Sequence, residues 1–485
     1  MKLKHSLFLV SLLLISGACK IKQQALDTGI KVPASYTNVS DSILIDSLKY
    51  DEKNAPETWI TFFTDDKLKN LISIAFQNNF DAKTAYQNIQ LAKGQMALTN
   101  GVRLPDLGIG VGAGMKKYGE YTESGVGNYD VQFSTNITPE QVVPLNLPDF
   151  DIYLTTNWEI DIWGKLNNKR KANFFHFLAT EEARKVIFTT IISEVARGYF
   201  NLMLLDHQVD IYTQNLELQE KALETVQFQK EGGKVTELAV ELINAQYLNA
   251  KSYLLELRQL IIEEEARLNI LLGRYPQAIE RNKLTANDEI TKTVNFSIPS
   301  HMLQNRPDIR SAEQRLRAEN ANVKAAKAAF YPQLTINARI GLNAFRADYW
   351  FNPSSLAYNV VGGLFAPLLN RRALRSELIN SKANQSLAYI NYEKTIVTAF
   401  GEVFELASKM ELIEQQVQIK KEQVEILRNS IETSQALFTS GRAGYLEIIT
   451  AQENYLRAQK ELQETQRLKS VIAIQLFKAI GGGTR

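Results

Sequence analysis

The sequence predicts a mainly α-helical chain with a membrane β-barrel portion, built as two tandem halves that each run helix, strand, strand, long helix, helix. Three observations carry this. The chain repeats itself: "VELINAQ" at 240–246 returns as "LEIITAQ" at 446–452, and 81–114 laid on 308–341 without a gap matches at Asp81/Asp308, Ala85/Ala312, Gln87/Gln314, Pro105/Pro332, Leu107/Leu334, Ile109/Ile336 and Gly114/Gly341. Proline is absent between Pro148 and Pro276 and again after Pro367, which leaves room for helices far longer than the globular mean of about 12 residues. Past the amino terminus no stretch reaches the roughly 18 uninterrupted apolar residues of a spanning helix. A membrane crossing would therefore use strands closed into a barrel, because only closure satisfies the backbone in lipid.

In the first half a helical segment is expected from about Asp66 to Thr99, where Pro105 in "RLPDLGIGVGAG" stops it and period-two alternation begins. A long loop rich in Gly, Asn, Tyr and Pro spans 117–148, and "DIYLTTNWEIDIW" (151–163) alternates again. From Lys165 the chain has no proline and a single glycine, Gly198, until Gly232-Gly233, so one helix of about 66 residues, roughly 100 Å, is expected. A second helix returns over about 236–272. The second half repeats the scheme: helix over about 307–329, strands in "QLTINARIGLN" and "AYNVVGGLFAPLL", a long helix over about 371–438, a "SGRAGY" turn and a helix back to Ile480. Four strands are too few to close a barrel and would expose unpaired edges. Several chains must share one barrel, continued by long helices packed as coiled coils.

Composition is that of a folded protein, 45% apolar and 22% charged over 485 residues. The net charge of +2 argues against a nucleic-acid partner. Lys2 and Lys4 precede the apolar run "SLFLVSLLLISGA", a signal-peptide layout over 1–18. Cys19, the single cysteine, follows directly. It has two readings: an incidental residue in a removed segment, or the acceptor of a lipid. The tract "SGAC" resembles a bacterial lipobox, with Ser16 where leucine is usual, and a mature chain starting at Cys19 would be tethered by acyl chains.

The stretches "ETWITFFTDDKLKNLISIAFQNNFD", "NWEIDIWGK", "NRPDIRSAEQRLRAENANVKAAKAAFYPQL" and the ending "QLFKAIGGG" resemble the TolC/OprM-type outer-membrane efflux channels, in their lipoprotein (NodT-like) branch. The likeness covers nearly the whole mature chain in order. It implies a homotrimer in which each protomer gives four strands to a 12-stranded barrel above a helical tunnel. It also implies an outer-membrane, lipid-anchored protein extending into the periplasm, with a periplasmic adaptor (membrane fusion protein) and an inner-membrane RND-type transporter as partners. No cofactor and no covalent chemistry are implied. The chain divides into a signal peptide (1–18), a lipid-anchored segment (19–65), a first efflux repeat (66–274), a linker (275–305) and a second repeat (306–485).

The resemblance places the two helical hairpins at the periplasmic tip, where the tunnel closes and the adaptor docks. Gly232, Gly233, Ala245, Gln246, Gly441, Arg442, Gly444, Ala451 and Gln452 are adaptor-contact candidates there. For Ala245, Gln246, Ala451 and Gln452 ordinary coiled-coil packing is the competing reading. Relatives carry acidic gate positions one helical turn apart; this chain has Glu447 at the first and Thr450 at the second. Glu241 and Asn244 stand at the matching places of the first half. Three copies of Glu447 about one axis would repel each other and favour cations; a solvated surface charge is the alternative. Phe438 and Leu446 are candidates for an apolar constriction, against a role in apolar packing.

Gln452, Gln459 and Gln466 recur every seven residues beside an apolar stripe of Ile448, Tyr455 and Leu462. The polar row suits a water-filled lumen or an outward solvated face. Chemical readings are weak. "GIGVGAG" from Gly108 opens no helix and fits a strand with small residues on one face. His176, His207 and His301 lie far apart, and no zinc spacing occurs. Glu181-Glu182 and Glu263 to Glu265 sit in helical surface runs. Trp158, Trp163 and Trp350 suit aromatic belts at a membrane boundary, with buried packing as the alternative. Three functions follow: an exit duct for small toxic compounds or drugs, an exit duct for secreted polypeptides, or a non-conducting lipoprotein that braces the envelope.

Overall fold

The structure, a computed structural model, describes residues 58–283, 305–366 and 371–483. The signal peptide, Cys19 and most of 19–65 lie outside the described residues. The first half contains α1 (Trp59–Phe62), α2 (Asp66–Asn78), α3 (Phe80–Gly101), β1 (Asp106–Lys117), α4 (Glu123–Asp130), β2 (Asn146–Ile160), α5 (Lys165–Glu231) and α6 (Glu237–Leu271). The second contains α7 (Pro307–Ala328), β3 (Gln333–Ala344), β4 (Leu356–Phe365), α8 (Arg371–Thr439) and α9 (Tyr445–Ala479). α5 and α8 run for 67 and 69 residues, as the proline gaps predict.

Three elements depart from expectation. The helix anticipated over 66–99 is broken at Asn79, whose side-chain oxygen accepts from the Ala82 amide at 3.0 Å while its own amide donates to the Leu271 carbonyl at 2.8 Å. A side chain that caps one helix and holds the end of another stops the first from continuing. The second strand is displaced toward the amino terminus, to 146–160. It stops because the Asp161 carboxylate accepts from the backbone of Leu166 (3.0 Å) and Asn167 (2.7 Å), capping α5. The loop before it holds α4, which Thr122 caps through the Gly125 amide at 3.0 Å.

The same joint appears in both halves, built from different side chains. Gly273 ends α6 at φ 67° and Gly481 ends α9 at φ 87°. A Cβ on Gly273 would lie 2.2 Å from the Asn78 carbonyl oxygen, and one on Gly481 3.1 Å from the Asn305 carbonyl. Asn79 reaches the Leu271 carbonyl; its counterpart Arg306 donates to the Ala479 carbonyl at 2.8 Å and to Glu402 at 2.9 Å. Each return helix thus ends against the start of an earlier short helix of its own half, α6 against α3 and α9 against α7. α6 and α3, of 35 and 22 residues, together line much of the flank of α5.

The main core forms where α1 and α2 pack on the middle of α5 and the end of α9. Phe62, Leu68, Ile72, Ile192, Leu202 and Phe477 are buried there, and Phe62 stacks on Phe477 at 4.1 Å between ring centres. Tyr199 is buried beside them and donates to Asp65 at 2.7 Å.

The strands form one antiparallel sheet in the order β1-β2-β3-β4. Its pleat separates two faces. Leu107, Ile109, Val111 and Met115 project from one, exposed; Gly108, Gly110, Gly112 and Gly114 occupy the other. β1 and β4 are edge strands within the protomer. Among the described residues no helix is long and apolar enough to cross a membrane.

Candidate functional site: the helical hairpin tips

Both hairpins reverse through the same backbone device. At the first, the Gly233 amide donates to the Lys230 carbonyl (2.9 Å) and the Lys234 amide to that of Gln229 (2.8 Å); at the second, Gly441 donates to Phe438 and Arg442 to Leu437, both at 2.9 Å. This is the paired closure of a helix end that needs one left-handed residue. Gly233 and Gly441 supply it at φ 71° and 69°. Gly232 and Gly444 have ordinary negative φ, −83° and −82°, so each tip depends on a single glycine.

Counted from those glycines, the two similar phrases are out of step. Glu241 lies eight residues beyond Gly233, whereas Glu447 lies six beyond Gly441. The extra two residues fall inside the return helix, since the turns themselves are equal in length. Even so, Ile243 and Ile449 reach the same place: with Val226 they form a buried cluster that joins the second hairpin to the first, flanked by Leu223, Val240 and Tyr445. This cluster is invisible in the sequence, because it depends on which faces of the two hairpins meet. Lys230 and Glu237 pair across the first turn, a clasp also unread in the sequence, although a cation and an acid flanking a glycine turn are its signal.

The gate candidates fall at different depths. Leu446 (60% exposed), Glu447 and Thr450 lie on the open side of α9 in the protomer. Glu447 sits in the first helical turn, its carboxylate folded toward Gly444, where the positive end of the helix dipole favours it. The Thr450 hydroxyl donates to the Leu446 carbonyl at 2.9 Å, so its oxygen is held against its own helix. Phe438 is half-buried and meets Tyr445 edge-on at 5.3 Å; burial pushes the Tyr445 phenol up. Phe438 therefore packs within its own hairpin and stands apart from the other three.

Of the adaptor candidates, Gly232, Gly233, Ala245, Gly441, Arg442 and Gly444 are exposed, Gln246 and Gln452 half-buried, and Ala451 buried. Gln459 and Gln466 are half-buried like Gln452, and Gln459 donates to the Tyr455 hydroxyl at 2.7 Å, which ties part of the polar row to the apolar stripe beside it. Among the described residues no group of three or more His, Cys, Asp and Glu could hold a metal ion.

Comparison with known proteins agrees in kind. The cation efflux system protein CusC of Escherichia coli K12 is 29% identical over 430 residues, 88% of each chain. The pyoverdine export outer membrane protein OpmQ of Pseudomonas aeruginosa is 26% identical over 479 residues, 99% of this chain and 97% of that one. A crystal structure of CusC superposes with a TM-score of 0.82 at 26% identity, covering 96% of this chain and 100% of the other. With residues 71–274 and 298–482 matching the family's model in both repeats, the chain belongs to the outer membrane efflux protein family.

Proposed function

We propose that three copies of this outer-membrane protein assemble into the exit duct of a tripartite efflux pump. It passively conducts small toxic compounds, handed on by an inner-membrane transporter of the RND type through a periplasmic adaptor, to the cell exterior. The observation that carries the assembly is the four-stranded sheet with two open edges and one apolar exposed face. A lone sheet of this kind cannot stand in lipid, whereas three joined edge to edge give 12 strands and no edge. Heptad-spaced apolar residues left uncovered in the protomer support the same assembly: Leu248, Leu255 and Ile262 on α6, and Leu412, Ile419 and Ile426 on α8.

Small solutes are favoured over polypeptides by the relatives, which are named for cations and for pyoverdine. In this reading Cys19 bears the acyl chains, the exposed tip residues meet the adaptor, and Glu447 forms a ring of three carboxylates. The family transports and the protein does no covalent chemistry. The test is the full-length protein purified in detergent and fused into planar bilayers. A species of three protomers that conducts is expected. A trimer that passes no current, even carrying Glu447→Ala and Thr450→Ala, would instead mark an envelope brace. Cells lacking the gene should accumulate toxic cations or organic solutes; loss of a secreted polypeptide with unchanged tolerance would reassign the cargo.

A further inference from the structure

This inference rests on the barrel reading above and adds to it a residue that sets selectivity far from the tip. The lipid-type face of the sheet bears Leu107, Ile109, Val111 and Met115, exposed at 71, 72, 66 and 76%; the opposite face is the one a barrel encloses with water. At its centre Tyr153 stands between two glycines, with Gly110 of β1 and Gly341 of β3 as its register partners. A Cβ on Gly341 would meet β2 backbone first, 2.1 Å from the Ile152 carbonyl oxygen, whereas one on Gly110 would meet the far end of the Tyr153 ring, Cζ and Oη, within 2.7 Å. The phenol therefore lies down across β1 instead of rising from the sheet, and glycine is what leaves room for it.

On that flattened ring rests a cation. The Arg339 guanidinium carbon lies 3.5 Å from the ring centre, and Nη2 lies 3.2 Å from Asp151 Oδ1 with half of the side chain still exposed. The planar guanidinium suits such a platform better than a lysine ammonium does. Two residues along β2 on the same face, Asp149 accepts from the Asn343 amide at 2.7 Å and has no ion pair among the described residues. Lys116, two residues past Gly114 on the same face of β1, sets its ammonium 4.5 Å from the Tyr118 ring centre, so per protomer the patch holds two carboxylates, one guanidinium paired to a carboxylate and one ammonium directed to a ring. Deprived of the guanidinium, Asp149 and Asp151 would present only oxygen ligands, the chemistry that hard divalent cations prefer. A cation held too well in a conduction path does not leave it.

We propose that Arg339, laid on Tyr153 and paired with Asp151, is a counter-ion built into the barrel wall that sets the ionic selectivity of the lumen and keeps Asp149 and Asp151 from trapping divalent cations in the path. Tyr153 is the positioning residue and Arg339 the selecting one.

The test is single-channel recording of the full-length trimer under a KCl gradient, with and without millimolar MgCl2. Wild type should conduct with little response to Mg2+. Arg339→Gln should shift the reversal potential toward that of potassium, by raising the potassium-over-chloride permeability ratio, and bring a Mg2+ block that Arg339→Lys largely removes. Asp151→Asn should move the ratio the other way, toward chloride, which keeps the proposal testable should Arg339→Gln fail to assemble. An Arg339→Gln channel with wild-type reversal potential and no Mg2+ response overturns the proposal, as does an Asp151→Asn shift toward potassium. In both cases the duct reading survives, because the channel still conducts. A wild-type trimer that passes no current defeats the duct itself.

Discussion

Gly273 and Gly441 both adopt the left-handed backbone, yet their surroundings differ. Open space surrounds Gly441, whereas a Cβ on Gly273 would overlap the Asn78 carbonyl. Gly441→Ala should cost about 1 kcal/mol, the torsional penalty alone. Gly273→Ala should cost about 3 kcal/mol or more, because the obstructing atoms are backbone and cannot turn aside. Denaturant midpoints of the two variants in detergent check the ranking; equal losses would show that Asn78 gives way. A second prediction concerns Tyr199. Burial raises its phenol first, and the hydrogen bond to Asp65 raises it further. The folded value lies above the ordinary 10.0, so the contribution is complete below pH 10 and is lost as pH rises through the folded value. Wild type should lose stability above pH 10 more steeply than Tyr199→Phe, which should start lower for want of the Asp65 bond. Parallel melting curves between pH 8 and 11 would reveal a common slope if the idea is wrong.

The joints between helices show what the sequence makes legible at the scale of elements. Pro105 and Pro332 announce β1 and β3, and the two proline gaps with their terminal glycines announce α5 and α8 nearly to the residue. Those signals are local: a ring that cannot donate, a backbone that must turn left. The break at Asn79 left no such mark, because asparagine is tolerated inside helices and its partner carbonyl lies 192 residues away. The alternating pattern carries strand through Asp161 for the same reason, since its capping role appears only once α5 has a first turn to cap. At the tips the glycines were readable and the Val226, Ile243 and Ile449 cluster was not. The likeness of "VELINAQ" to "LEIITAQ" even misleads by two residues about which positions follow the turns. Asn79→Ala, which removes a helix cap and a buried bond together, should cost about 1–2 kcal/mol. Asn79→Asp should recover the cap to Ala82 but not the bond to Leu271. A chemical-denaturation series of the three proteins separates the two contributions, and an aspartate variant as stable as wild type would dismiss the Leu271 link.

For the whole molecule the decisive property is what the protomer leaves uncovered. Ile419 is 63% exposed on the part of α8 nearer the tip, the central member of the heptad-spaced row. If that row is a seam between copies, Ile419→Glu should lower the trimer fraction in detergent, measured by light scattering, while circular dichroism keeps its helical signal. An unchanged mass would place the seam elsewhere. The end-to-end joints at Gly273 and Gly481 also bear on mechanics. The long helices run unbroken over Lys165–Glu231 and Arg371–Thr439, while the helices beside them are interrupted where Asn78 and Asn305 meet those glycines. A pull at the tip is then borne along one continuous rod in each half, while its companion passes the load across a joint that Asn79 holds in one half and Arg306 in the other.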